Sequence, residues 1–199
     1  MVRGDMPSVR QAVALLAGGL SHAPDEPRLL LSYAQALSRL WFYGDGGAAQ
    51  QAMAAAERLV AVQPGRAESH MSLASVYFQG SELRTAMQAL DRALALRPDF
   101  ADAHELKGRI LIETGPVRTG MDHLAQARRL DPSLLRAVAD QARVLALLGR
   151  PDRAHELLSD RSIIGHGIFL DDHPSTRWST DTDMKRLAET GTTVAHCPT

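Results

Sequence analysis

The sequence is short of cysteine, aromatic residues and net charge, and each shortage narrows what the chain can be. Cys197 is the only cysteine, so no intrachain disulfide can form and a packed core must hold the fold. Aromatic residues make up 5% of the 199 residues, which leaves the packing to smaller side chains. The formal net charge is −1, giving no long-range field to draw the chain to nucleic acid or an anionic membrane. Lysine is nearly missing: only Lys107 and Lys185 stand among 22 cationic residues, and the rest are arginine. No apolar run near the start reaches the roughly 20 residues of a spanning helix. The stretch from Val13 to Leu20 is broken by Gly18 and Gly19, and it lacks the basic leader and cleavage pattern of a signal peptide. These shortages predict a soluble, cytoplasmic chain with no nucleic-acid partner and no membrane partner.

Alanine and leucine, by contrast, recur throughout, and both favour helices packed through small side chains. Three prolines, Pro64, Pro98 and Pro132, stand one below the other at a spacing of 34 residues. Each closes a run of helix formers (AAAERLVAVQP, ALDRALALRP, HLAQARRLDP), where proline ends a helix and opens a turn. The interior of the period agrees. Leu73, Ala74 and Tyr77 occupy a first helix and Ala86, Leu90 and Ala93 a second; Gly108, Leu111, Gly120, Leu124 and Ala127 follow in the next period. Small residues at Ala74, Gly108, Ala86 and Gly120 let paired helices approach, and bulkier Tyr77 and Leu111 fill the space beside them. Turns are expected at Gln79-Gly80-Ser81 and Gly115-Pro116. Ala12, Leu16, Gly19 and Pro24 have the spacing of a second helix alone. Pro27 to Pro64 forms a longer unit with about six extra residues near RLWFYGDGG. There, Trp41-Phe42-Tyr43 is expected either to pack as a helix end or to stand out as an anchor for a partner.

A repeat of this length with these recurring positions resembles the tetratricopeptide family, over residues from about 8 to 158. The resemblance implies an all-α fold, a right-handed superhelix of antiparallel helix pairs, within a domain spanning 1–160. It also implies a concave groove, lined by the first helix of each pair, that holds a protein or peptide ligand; a second copy of the chain is a further candidate partner. The groove position falls on Glu68, Met71, Ser75, Phe78 and Gln79, then on Asp102, Glu105, Arg109, Ile112 and Glu113, then on Arg136, Ala139, Arg143 and Leu147. Arg109, Arg136 and Arg143 would suit an acidic or carboxylate-bearing peptide. These same positions also read as ordinary solvated helix faces. His70 and His104 stand one period apart where the family often has tryptophan; lacking further ligands, they read as packing groups rather than a metal pair. No cofactor is expected for the repeats.

From residue 161 the texture changes. Ser162 to Gly165 and Thr192 to Ala195 are β-prone and flank a helix-forming stretch, so a short βαβ-like appendage is expected over 161–199. The phrases GHGIFLDD and RLAETGTTVAHCPT resemble the amidohydrolase superfamily, in particular guanine deaminase and chlorohydrolase-like members. That resemblance implies a metal-dependent deaminase, with His166 as a ligand to zinc or iron and His196 as a catalytic histidine. The family's His-x-His pair and later aspartate are missing from the chain. A hydrolytic site needs about three ligands and an open position, and two strands cannot close an eight-stranded barrel. The expectation is therefore a truncated amidohydrolase fragment, inactive alone. It would be either an artefactual join to the repeats or the front of a longer fusion.

Overall fold

The computed structural model describes residues 6–150, Arg153, and two short strand segments at 163–164 and 193–194. Among these residues eight helices follow one another: α1 (Met6–His22), α2 (Pro27–Phe42), α3 (Ala48–Val62), α4 (Ala67–Gln79), α5 (Leu83–Leu96), α6 (Ala101–Thr114), α7 (Val117–Leu130) and α8 (Leu135–Leu147). The 34-residue period is the sum of a first helix, a tight turn, a second helix and a four-residue link. Pro64, Pro98 and Pro132 each come two residues after the second helix of a pair, at α3, α5 and α7, where a residue without an N–H cannot continue the helix. The first helices end on left-handed backbone: Gly44, Gly115 and Gly149 at φ 97°, 116° and 70°, and Ser81 at φ 61°. Glycine takes that conformation without the Cβ clash that serine suffers.

The extra residues of the α2–α3 pair are spread along it. Compared with α4–α5, α2 is three residues longer, its turn two longer and α3 one longer. The aromatic stretch is split in its exposure. Trp41 is half-buried against the core, whereas Phe42 is 78% exposed and meets Tyr43 edge-on with ring centroids 5.9 Å apart.

The chain divides between residues 110 and 111 into two compact units. The unit of residues 3–110 holds two apolar clusters. One joins Ala34, Leu37 and Leu40 of α2 to Ala48, Ala52, Ala55 and Ala56 of α3 and Val76 of α4, with Met6, Val9 and Val13 of α1 packed on it. The other joins Ala74 of α4 to Ala86, Ala89, Leu90 and Ala93 of α5 and to Ala103, Leu106 and Ile110 of α6. Alanines 34, 52, 74 and 86 are fully buried, the first two in one cluster and the last two in the other; small side chains of this kind let paired helices pack at short distance. In the other unit α7 packs on α8, burying Gly120, Leu124 and Ala127 with Ala137, Val138, Ala142 and Val144.

The two histidines have a structural task. His70 Nε2 lies 2.9 Å from the carbonyl of Pro64, and His104 Nε2 lies 2.9 Å from the carbonyl of Pro98. Each imidazole, donating from Nε2, ties the first turn of a first helix to the proline that closed the preceding second helix. A carbonyl left over at a proline turn thus finds a donor, one period apart in each case.

Strands β1 (Ile163–Ile164) and β2 (Thr193–Val194) pair in parallel, with Ile163 opposite Thr193 and Ile164 opposite Val194. They fall within the two β-prone runs, and parallel pairing needs a crossover between them. The expected helix in that crossover, the boundary at 160/161, and both His166 and His196 lie outside the described residues.

Candidate partner-binding cavity

A concavity of about 380 Å³ opens on the first helices of the unit spanning residues 3–110. Leu31, Gln35 and Ser38 of α2 form one side. Glu68, Met71, Ser72, Ser75 and Val76 of α4 form the floor and opposite side, and Phe100 and Asp102 close the end at the start of α6. Residues three and four apart share a helix face, which is why 31, 35 and 38 line one wall and 68, 71, 72 and 75 the other.

The polar groups here are tightly arranged. Ser75 donates its hydroxyl to the carbonyl of Met71 at 3.0 Å. Gln79 donates from Nε2 to the carbonyl of Ser38 at 2.8 Å, joining α4 to α2. The hydroxyl oxygen of Ser38 is buried and has no hydrogen-bond partner among the described residues. At the far end Arg97 donates from Nη1 to Glu68 Oε1 at 2.7 Å and lays its guanidinium 3.4 Å above the centre of the Phe100 ring. Behind this face Tyr77 donates to Glu57 Oε1 at 2.5 Å. That bond, with burial and the charges of Glu57 and Glu82, pushes the Tyr77 phenol up to about 12.

Of the groove residues expected from sequence, the structure brings Glu68, Met71, Ser75 and Asp102 together in the cavity. Phe78, Glu105 and Arg109 form a separate cluster in the same unit: the Arg109 guanidinium sits 5.0 Å from the Phe78 ring centre and 3.5 Å from Glu105 Oε1. Glu105 is only 2% exposed, so it does not present the open carboxylate its helical position suggested. Its pitch turns it from the face toward the interior, where Arg109 meets it. Ile112, Arg136 and Arg143 belong to the other unit. There, Ile112 is half-buried, Arg136 is exposed, and Arg143 is half-buried with Nη2 3.4 Å from Asp140.

Leu31, Gln35 and Ser38 were not anticipated, yet a signal for them exists. The period between α2 and α4 is 34 residues plus the six of the insertion, which sets Leu31 against Met71 and Gln35 against Ser75. Carrying the groove positions back across the insertion finds them. Phe100 has no such signal, since it stands in the turn before α6.

Among the described residues no group of three or more His, Cys, Asp or Glu stands close enough to hold a metal. Nor is any helix there long and apolar enough to cross a membrane.

The family described as anaphase-promoting complex, cyclosome, subunit 3 matches residues 45–127. A sequence comparison with curated proteins gives no match. Among solved structures, TTC0263, a thermophilic TPR protein of Thermus thermophilus, is 20% identical with a TM-score of 0.67, over 90% of this chain and 89% of its own. An O-GlcNAc transferase mutant of Thermobaculum terrenum is 25% identical with a TM-score of 0.59, over 69% of this chain and 27% of the transferase. YrrB, described as a TPR protein with an unusual peptide-binding site, is 16% identical with a TM-score of 0.53, over 85% of this chain and 82% of its own. None of these is an amidohydrolase, so the deaminase-like reading of residues 161–199 gains no support from them. The helical repeats, their closing prolines and these likenesses together show a tetratricopeptide-like helical-repeat fold.

Proposed function

We propose that the chain is a protein-interaction module that holds a segment of a partner protein in the cavity between α2, α4 and the start of α6. The observation that carries this reading is the cavity itself: successive first helices build it, and apolar and polar side chains both line it. A pocket of this kind favours a ligand by removing apolar surface from water while a few polar groups fix its orientation. The reading requires no metal or cofactor. YrrB lends it only the fold, since its low identity carries no site across.

The test is selection of peptides from a random library on the whole chain, followed by titration of the selected peptides. Binding should weaken at least about tenfold on Ser75→Phe, which fills the cavity from its wall; that factor corresponds to roughly 1.4 kcal/mol. Helical circular dichroism should not change. Selected peptides that bind the variant as well as the parent chain would place the partner surface elsewhere.

A further inference from the structure

The charged side chains that line the cavity differ in sign from the arginines the sequence offered to a partner. Its charged lining residues are Glu68 and Asp102, and among the described residues no lysine, arginine or histidine lines it. Arg109, the one arginine of this unit that the groove positions offered to an acidic peptide, is engaged with Phe78 and Glu105 instead. Two arginines approach Glu68 from outside the lining. Arg97 makes the close bond already described, and Arg66 Nε stands 3.9 Å from Glu68 Oε2 with 68% of its side chain exposed, a separation and exposure that make it weak.

A carboxylate offers about four acceptor sites, so Glu68 and Asp102 can each take a further donor whatever else they bond. Beside them lie Leu31, Met71 and Phe100, an apolar bed for a methylene stem. Long cationic side chains bury such stems on apolar surface and keep the charged head at a polar edge. The concavity, of about 380 Å³, is open to solvent. It has room for one long side chain and a short neighbour.

We infer that the cavity takes a lysine or arginine side chain, flanked by an aliphatic residue, from the partner protein. The inference rests on the reading that this cavity binds a partner segment, and it names the chemistry of that segment. A glutamate, aspartate or C-terminal carboxylate in the same place would face like charge.

The experiment uses the whole chain and three end-blocked, fluorescein-labelled peptides in which leucine alternates with lysine, glutamate or glutamine. The lysine peptide should bind at least about tenfold more tightly than the glutamate peptide, with glutamine between them. The gap should narrow as salt rises from about 0.05 to 0.5 M. Asp102→Asn should reduce it, and Glu68→Gln with Asp102→Asn should abolish or reverse it, with circular dichroism confirming the fold of each variant. Equal binding of the three peptides, or glutamate first, overturns the inference. If Ser75→Phe still abolishes that binding, the cavity itself survives as the partner site. Binding of none of the three overturns both.

Discussion

Tyr77 shows how a single contact carries a measurable consequence. Its phenol donates to Glu57 across the α3–α4 contact, and the neighbouring carboxylate resists formation of a phenolate beside it. The folded value of about 12 lies above the ordinary 10. The bond therefore contributes its stability below pH 10 and loses it as pH rises from 10 through about 12. Urea denaturation between pH 8 and 11 should show the parent chain losing part of its advantage over Tyr77→Phe toward the alkaline end, because the variant has no phenol to titrate. A constant difference across that range would mean the bond does not form. Glu105 makes a related point. Its place in the period was legible, but whether it faces a partner or the interior depended on the helix's pitch against its neighbours. Only packing decided that.

Elements explain what the period could only mark. Gly80 reads as a turn residue, and a turn does begin there, but its φ of −77° is one any residue adopts. The left-handed residue is Ser81. Gly80 is needed for room: a Cβ there would stand 2.9 Å from Met53 Cε and 3.0 Å from Trp41 Cη2. The longer α2 brings Trp41 over this turn, so the insertion and the glycine belong together. Gly80→Val should destabilise the chain by about 1–3 kcal/mol through overpacking, read as a lower urea midpoint with an unchanged slope. An unchanged midpoint would show that Met53 and Trp41 move aside freely. The histidine–proline links belong to this scale too. The sequence marks His70 and His104 as packing groups one period apart; the carbonyls they bond became visible only when the turns were folded.

At the scale of the whole molecule, a repeat protein is a chain of neighbour contacts, and each helix pair hides its apolar face only against the next. Both apolar clusters of the unit spanning residues 3–110 lie wholly within it. A fragment of residues 1–116, which completes α6, should therefore fold alone, with helical circular dichroism and a single cooperative urea transition. A broad, non-cooperative loss of signal would show that α7 and α8 are required. The same fragment contains every lining residue of the cavity, so it should keep peptide binding as well.

The sequence by itself determined the helices, their pairing and their repeat, because proline placement and small-residue periodicity are local rules that each unit obeys in turn. It also located four of the ten residues lining the cavity, since Glu68, Met71, Ser75 and Asp102 hold groove positions of regular units. From position alone the arginines read either as suited to an acidic partner or as solvated helix faces. Tertiary structure sets the Arg109 charge against a buried carboxylate and an aromatic ring. It also decided that Leu31, Gln35 and Phe100 close the cavity, joining residues from α2 and from the turn before α6. Periodicity reports what recurs along one chain, whereas a binding surface depends on which unlike groups are brought face to face.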